Sequence, residues 1–423
     1  RVIEKAFRGS APAQINVPRD FWTQVIDIEL PPIVRFERQG GGKDAVDRAA
    51  KLLSEAKFPV ILSGAGVVIG DAIDDCKKLA EKLDAPVCNG YQHNDSFPGS
   101  HPLAVGPLGY NGSKAAMELI SKADVVLALG TRLNPFSTLP GYGIDYWPKD
   151  ATIIQVDMNP DRIGLTKKVT VGICGDAKMV AQQILEKLSS NAGDNGREDR
   201  KNLIHQTKSA WLQTLTSLDH EDDDPGTVWN KEARERDKDR MSPRQAWRAI
   251  QAGMPEDVII SSDIGNNCAI GNAYPTFEKP RKYLAPGLFG PCGYGFPSIL
   301  GAKIGCPDTP VIGFAGDGAF GISMNEMSSC AREEWPAITM VIFRNYQWGA
   351  EKRNSILWFD DNFVGTELDP ELSYAKVANA CGLKGVIANT MEETTKAIKQ
   401  SCEDQKKGIT TFIEIILNQE LGE

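Results

Sequence analysis

Short apolar runs recur along the chain between segments with helical patterning, and they fall into two regions. Such runs are typical of strands that are buried on both faces of a parallel sheet. They occur at 59–63, 124–130 and 152–157, and again at 258–263, 311–315, 338–343 and 410–417. Because predicted helices alternate with these strands, the pattern indicates an α/β fold with two doubly wound parallel-sheet domains. We place a central Rossmann-like domain at 43–186 and a C-terminal domain at 242–423.

The remaining segments lack this alternation. Residues 1–30 contain a predicted strand at 13–18 and a short helix after it, which cannot form a core alone. We interpret them as the tail of an upstream α/β domain and expect the sequence to begin partway into a longer protein. Glycines at 40–42 indicate a linker. Residues 187–241, with a helix predicted at 200–218, are charge-rich and are interpreted as a solvated linker; a metal-binding loop at 222–224 is the alternative.

Polar residues follow two of the apolar runs at the points where the strands are predicted to end. Gly316-Asp317-Gly318 comes directly after the run at 311–315, and Asn345 and Gln347 follow the run at 338–343. The carboxyl ends of parallel strands form the edge at which open α/β sheets bind ligands. A carboxylate, an amide oxygen and a backbone carbonyl suit Mg²⁺, and glycines let backbone N–H groups approach a phosphate. A helix predicted at 320–332 would direct its N-terminus at the same anion.

This arrangement resembles the signature of the thiamine diphosphate enzymes, in which Gly-Asp-Gly is followed by Asn after some two dozen residues. Here 26 residues separate Gly318 from Asn345, and Arg344 stands where the family has a second Asn. The resemblance implies Mg²⁺ ligands at Asp317, the Asn345 side chain and the Gln347 carbonyl. It implies cofactor contacts at Gly265, Asn266, Asn267, Gly290, Cys292, Gly316, Gly318, Ala319 and Asn345. Helix capping by the two asparagines at 266–267, and close packing by the glycines at 287–295, are the alternatives.

Two further stretches, Phe343 to Asn354 and Leu357 to Leu368, resemble one acyltransferase branch of this acetolactate synthase-like family, as does the charged segment 219–226 more weakly. That resemblance implies cleavage of sulfoacetaldehyde with phosphate into sulfite and acetyl phosphate, through an acetyl group carried by the cofactor. Arg344, Lys352 and Arg353 are the candidates for holding the sulfonate and phosphate anions. The family's activating Glu is expected upstream of Arg1, and its site is shared between subunits of a homodimer or homotetramer.

Composition narrows the class of protein further. The 423 residues carry 56 acidic and 47 basic side chains, and a net charge of −9 argues against nucleic acid as a partner. No apolar run approaches the length that spans a membrane, and no secretory signal opens the sequence. Nine dispersed cysteines and four histidines favour a reducing compartment over a disulfide or zinc framework. We therefore expect a cytoplasmic enzyme that acts on small molecules and has no membrane partner.

Three other interpretations remain open. The first is another thiamine diphosphate enzyme, such as acetolactate synthase or sulfopyruvate decarboxylase. The second is a nicotinamide- or flavin-binding oxidoreductase built on Gly64, Gly66 and Gly70, although their spacing departs from the dinucleotide fingerprint and a tight strand-to-helix turn explains them better. The third is a non-catalytic subunit. In related enzymes the central domain binds flavin, another nucleotide or nothing, so the sequence does not assign a ligand there.

Overall fold

Two parallel sheets, each flanked by helices, form the core of the protein. The structure, a computed structural model, describes residues 2–9, 11–30, 32, 37–217, 235, 237–287, 289–332 and 334–419. All strand pairings within the two sheets are parallel. The predicted α/β class with two doubly wound sheets is therefore confirmed. No helix in the described part of the chain combines the length and apolar character needed to cross a bilayer.

The first sheet belongs to the central region. Its strands are β1 (Pro59–Ser63), β2 (Val87–Asn89), β3 (Ala104–Pro107), β4 (Val125–Leu129), β5 (Thr152–Asp157) and β6 (Val171–Cys174). They lie in the order β3-β2-β1-β4-β5-β6, so the direction of winding reverses between β1 and β4. The α-helices up to the end of this region are α1 (Val2–Gly9), α2 (Lys43–Glu55), α3 (Ala65–Ile69), α4 (Ile73–Leu83), α5 (Lys114–Ile120), α6 (Ala177–Lys187) and α7 (Arg197–Ser217).

Hydrophobic patterning explains why these elements form. Every residue of β1 and β4 is buried, as expected for central strands covered on both faces. Helix α2 instead buries one stripe, made by Val46, Ala49, Ala50 and Leu53 at helical spacing, and leaves its other face to solvent. The two patterns join in one apolar core between the sheet and its helices.

The second sheet belongs to the C-terminal region. Its strands are β7 (Ile259–Ser262), β8 (Tyr283–Leu284), β9 (Val311–Gly316), β10 (Thr339–Arg344), β11 (Lys384–Ala388) and β12 (Thr411–Ile416), in the order β11-β12-β10-β9-β7-β8. Its helices are α8 (Pro243–Gly253), α9 (Asn266–Ile270), α10 (Gly295–Gly305), α11 (Asp317–Ser323), α12 (Met327–Cys330), α13 (Gly349–Trp358), α14 (Tyr374–Ala380) and α15 (Met391–Gln405). The winding direction of this sheet reverses between β7 and β9.

Helix α8 shows how local sequence and core packing act together. Ser242 caps it through a reciprocal capping box with Gln245, and a proline occupies its first turn. One turn later the fully buried Trp247 packs its ring 4.7 Å from that of Phe314 and 5.4 Å from that of Phe343, measured between centroids. The cap orients the helix, and the indole fixes it against the two strands that carry the predicted site.

Two predicted elements are wrong in detail. Residues 13–18 form no strand, because the segment is exposed and pairs with no strand among the described residues. The short helix predicted after it is present as a 3-10 helix at Arg19–Thr23. The helix predicted at 320–332 begins three residues earlier, at Asp317, and a 3-10 segment at Met324–Glu326 interrupts it. The possible metal loop at 222–224 and the stretch 219–226 lie outside the described residues.

Candidate active site at the switch point of the second sheet

The predicted site residues meet at one edge of the second sheet. Strands β7, β9 and β10 end there, and the loops that follow them line one cleft. This is the point where the winding reverses, which is where doubly wound sheets bind ligands. The lining includes the predicted residues Gly265, Asn266, Asn267, Cys292, Gly316, Asp317, Gly318, Ala319, Asn345 and Gln347. It also includes Ile264, Trp348 and Glu351, which sequence reasoning did not assign although they adjoin predicted positions.

Three oxygen atoms converge in this cleft. The side-chain oxygen of Asn345 lies 3.2 Å from Oδ1 of Asp317 and 3.2 Å from the carbonyl oxygen of Gln347. Octahedral Mg²⁺ with bonds of 2.0–2.1 Å places adjacent ligands about 2.9 Å apart, close to this spacing. Oxygens facing one another repel unless a cation or a proton lies between them. Rotating the amide would replace the repulsion by two hydrogen bonds, and a bound cation would satisfy all three oxygens as they stand.

The backbone around Gln347 explains why this carbonyl faces the cleft. Tyr346 adopts a positive φ of 62°, which is costly for a residue with a side chain and turns the chain sharply after β10. The turn is held because the Trp348 N–H donates to the Thr366 carbonyl at 2.7 Å. The Gln347 side chain is used elsewhere, since its Nε2 donates to the Gln419 carbonyl at 3.1 Å. The main-chain oxygen is therefore the group that Gln347 presents to the site.

Asp317 is oriented by a full set of donors. Its Oδ2 accepts from the Tyr346 N–H at 2.7 Å and from Nη1 of Arg344 at 3.0 Å, and its Oδ1 accepts from the Gly318 N–H at 3.0 Å. Burial raises the pKa of this carboxyl to about 6, although Arg344 and the N–H donors favour the ionised form. The arrangement leaves Oδ1 as the oxygen directed toward Asn345 and thus toward a cation.

The prediction that Arg344 binds a substrate anion is wrong. Arg344 is the last residue of β10 and is completely buried, so it is not exposed on the following loop. Besides Asp317, it donates to the carbonyls of Asp369 and Leu372, and its Nε lies 3.6 Å from Oε1 of Glu414. The guanidinium therefore orients the Asp317 carboxylate from the interior of the domain, where a substrate anion cannot reach it.

Glycines and asparagines form a cradle beside the three oxygens. Gly265 has φ +132°, a conformation that favours glycine, and Cβ atoms added at Gly265 or Gly316 would meet nothing within 4 Å. An added Cβ at Gly318 would instead lie 2.7 Å from the Trp348 ring, so no side chain fits there. The buried Asn266 Nδ2 and Asn267 Oδ1 have no hydrogen-bond partner, and neither side chain caps α9. The capping alternative is therefore not supported, and a donor remains available for a diphosphate.

A buried carboxylate that sequence reasoning overlooked supports the glycine-rich loop. Asp263 accepts from the Gly293 N–H at 3.0 Å and from the Gly295 N–H at 2.7 Å. Burial raises its pKa, and these N–H groups oppose the rise. Its position just after a strand, like that of Asp317, was the available signal. The loop places the half-buried Cys292 in the cleft lining, whereas Gly290 lies outside the lining group.

Lys352 and Arg353, the other two candidates for binding a substrate anion, differ in the groups that they contact. Lys352 places Nζ 2.6 Å from Oε1 of Glu367, so its charge is compensated. Arg353 donates from Nη1 to the hydroxyl of Tyr110 in the central region, and its guanidinium lies 5.1 Å from the centre of that ring. Neither residue is among those that line the cleft. Arg353 is the candidate whose charge remains available for an anion.

The glycines of the central region serve a different purpose. Gly66 packs directly against Gly130. A Cβ atom added to Gly66 would lie only 2.6 Å from the Gly130 Cα, so no side chain fits there. This contact joins the turns after β1 and β4 and agrees with the tight-turn interpretation of Gly64 and Gly66. A cleft of about 300 Å³ opens beside them, with Arg132 and Arg162 in its lining.

The residues at the second switch point fit a magnesium ion and a diphosphate. One carboxylate, one amide and one carbonyl supply hard oxygen ligands, with the amide oxygen 3.2 Å from each of the other two, while the glycine cradle and an unpaired amide supply room and a donor for phosphate oxygens. A doubly wound sheet with a divalent cation and a diphosphate at its switch point defines a class of cofactor-dependent enzyme.

Comparison with known proteins identifies that class. Residues 46–184 match the central domain of thiamine pyrophosphate enzymes, and residues 263–415 match their C-terminal TPP binding domain. Thiamine pyrophosphate and thiamine diphosphate are two names for one cofactor. The chain therefore belongs to the thiamine pyrophosphate enzyme family, whose cofactor is held through Mg²⁺.

Within that family the chain is similar to sulfoacetaldehyde acetyltransferases. It is 78% identical, over its whole length and 72% of the other protein, to a probable sulfoacetaldehyde acetyltransferase of Rhizobium meliloti (strain 1021). It is 74% identical, over its whole length and 70% of the other protein, to the sulfoacetaldehyde acetyltransferase of Roseovarius nubinhibens. The solved structure of benzoylformate decarboxylase from Polynucleobacter necessarius matches with a TM-score of 0.71 and 20% identity, covering 95% of this chain and 70% of that one. This last likeness concerns the fold alone.

Proposed function

We propose that the protein cleaves sulfoacetaldehyde with phosphate, giving sulfite and acetyl phosphate, with thiamine diphosphate and Mg²⁺ as cofactors. The observation that carries the proposal is the convergence of three oxygens at the switch point, in a chain that is similar along its whole length to sulfoacetaldehyde acetyltransferases. When bound, thiamine diphosphate supplies a carbon nucleophile and an electron sink for cleavage next to a carbonyl. The protein's own residues position the reactants and balance their charges.

Each cleft residue has a distinct role in this proposal. Asp317, Asn345 and the Gln347 carbonyl hold Mg²⁺, and the Asn266 amide and the N–H groups at the start of α11 bind the diphosphate. Arg344 keeps Asp317 oriented and limits the cost of burying its charge. Cys292, from the loop held by Asp263, supports the cofactor rings; it is smaller than the Met or Leu usual in the family, so that support is weaker.

We further propose that the working enzyme is a homodimer or homotetramer with a shared site. Large apolar side chains are exposed at the end of α13, the helix whose first residues line the cleft, and just after it: Trp358 is 76% exposed, Phe359 64% and Val364 80%. A concentrated apolar patch of this kind marks a protein interface. Light scattering coupled to size-exclusion chromatography measures the assembly directly. A monomeric mass for the active enzyme would contradict a shared site.

The activity is tested by product analysis with the intact protein. Sulfoacetaldehyde, phosphate, Mg²⁺ and thiamine diphosphate are expected to give acetyl phosphate and sulfite in equal amounts, and omission of any one component is expected to abolish both products. Pyruvate and sulfopyruvate are the matched alternative substrates. Release of CO₂ from either of them, without phosphate-dependent acetyl phosphate from the aldehyde, would refute the proposal in favour of another family activity.

A further inference from the structure

A partly buried polar group, made by Tyr110, Asn111 and Arg353, lies between the central and C-terminal regions, next to the candidate site. Tyr110 and Asn111 stand on the loop after β3, and Arg353 stands on α13. Residues four apart share one face of a helix. Arg353 therefore continues the face that begins at Gly349, which lines the cofactor cleft. The polar group thus lies about one helical turn from that cleft.

The side chain of Asn111 lacks the partners that its burial demands. It is 4% exposed, and neither its Nδ2 nor its Oδ1 makes a hydrogen bond. Its backbone is held at a φ of 51°, and the flanking loop is fixed by the Ser113 N–H donating to the Pro107 carbonyl at 2.7 Å. A buried amide with an unsatisfied donor and acceptor is unusual in proteins and requires an explanation. A bound polar ligand would provide one.

The charge around Asn111 is positive. Within the described part of the chain, no carboxylate lies within ion-pairing distance of Arg353. The charged groups that act on the pKa of Tyr110 are Arg353 and Arg244, and both favour its ionised form, while burial raises that pKa overall. The Asn111 amide lies near the Tyr110 hydroxyl and lowers its pKa, although the two groups do not reach hydrogen-bond geometry, so amide, phenol and guanidinium are close together. Such a site favours an oxyanion.

We propose that Tyr110, Asn111 and Arg353 form a binding site for hydrogen phosphate, the second substrate of the proposed reaction. The inference rests on the proposed function for the role of phosphate, but the site itself rests on the geometry. Arg353 and Asn111 Nδ2 donate to phosphate oxygens. Asn111 Oδ1 needs a donor, and hydrogen phosphate carries an O–H group, whereas a sulfonate carries none. This difference assigns the site to phosphate over the sulfonate of the aldehyde.

The test measures binding of inorganic phosphate and of methanesulfonate to the intact, cofactor-loaded enzyme by calorimetry. Arg353→Gln, Asn111→Asp and the milder Tyr110→Phe are compared with Arg332→Gln, which removes an exposed arginine paired with Glu334. We expect Arg353→Gln and Asn111→Asp to weaken phosphate binding, and to raise the phosphate KM, by about tenfold or more. The KM for sulfoacetaldehyde and the binding of methanesulfonate should change less than about twofold, and Arg332→Gln should change neither.

The following results would distinguish a phosphate site from a structural polar group or a sulfonate site. Unchanged phosphate affinity in all three variants, with native circular dichroism, would show that the polar group is structural and overturn it. Selective loss of methanesulfonate binding would reassign the site to the aldehyde and also overturn it. If Asn111→Asp does not fold, Tyr110→Phe and Arg353→Gln carry the comparison. A wild-type enzyme that binds phosphate at this site but makes no acetyl phosphate would refute the proposed function while leaving the site intact.

Discussion

Replacing Arg344 by Met removes a cation that is buried between two carboxylates. Its Nη1 is 3.0 Å from Oδ2 of Asp317 and its Nε is 3.6 Å from Oε1 of Glu414, and none of the three side chains is more than 2% exposed. Met retains the apolar stem, so the main loss is charge compensation. Removing one partner of a buried pair costs about 3–5 kcal/mol, because the remaining charges are left uncompensated. The free energy of unfolding should fall by that amount in the metal-free variant.

The same substitution should weaken Mg²⁺ binding in a pH-dependent way. An adjacent cation lowers a carboxyl pKa by about 1–3 pH units. The pKa of Asp317, about 6 with Arg344 present, should therefore rise to about 8 without it. Because Mg²⁺ binds the ionised carboxylate, the fraction ready at pH 7 falls from about nine-tenths to about one-tenth. The Mg²⁺ affinity at pH 7 should fall about tenfold, and the loss should disappear near pH 9.

Mg²⁺ titrations monitored by calorimetry between pH 5.5 and 9 measure this effect. Arg200→Met is the matched control, because Arg200 is 1% exposed and donates to five backbone carbonyls at 2.6–2.9 Å in the central region. It should lose stability but keep the wild-type pH dependence of Mg²⁺ binding. An Arg344→Met variant with wild-type Mg²⁺ affinity at pH 7 would refute the role assigned to this arginine.

Three further predictions concern the same region. Burial raises the pKa of Asp317 from 3.8 to about 6, so its proton stabilises the metal-free protein below about pH 4 and this contribution is lost as the pH rises through 6. The increase in Tm on adding Mg²⁺ should accordingly grow between pH 5 and 7, and a pH-independent increase would contradict it. Gly318→Ala should displace the Trp348 ring and lower cofactor affinity at a stability cost of about 1–3 kcal/mol, measured by cofactor titration and urea unfolding; an unchanged affinity would remove the glycine from the cradle. Trp247→Ala should lower the free energy of unfolding by about 3–5 kcal/mol, and a loss below about 1 kcal/mol would show that the indole is not central to the core.

The long apolar strands could be predicted because their burial leaves a continuous pattern. Runs such as 152–157 and 311–315 coincide with β5 and β9 to within one residue. Strands β2 and β8 could not, since they have three and two residues and carry too few positions to show a pattern. Strand β11 is half-exposed along most of its length, so its sequence lacks the apolar run that marks buried strands.

Some residues of the candidate site could also be predicted from the local sequence, whereas the placement of others depends on tertiary contacts. Asp317, Asn345 and Gln347 were predictable because parallel strands bring their carboxyl ends to one edge. Arg344 was misplaced because β10 extends one residue beyond its apolar run, and that single residue decides whether the guanidinium enters the domain or solvent. Contact between Tyr110 and Arg353 joins positions far apart in the chain, and no local pattern encodes it.

The position of the bound metal ion tests the proposed cofactor site. Crystals of the intact protein grown with thiamine diphosphate and Mn²⁺ in place of Mg²⁺ would reveal the ion by its anomalous scattering. We predict one peak at about 2.0–2.3 Å from Oδ1 of Asp317, the side-chain oxygen of Asn345 and the carbonyl oxygen of Gln347, with the remaining ligands from the diphosphate and water. A metal peak elsewhere, or a cofactor bound with its diphosphate away from this edge of the second sheet, would show that Asp317, Asn345 and Gln347 do not form the metal site.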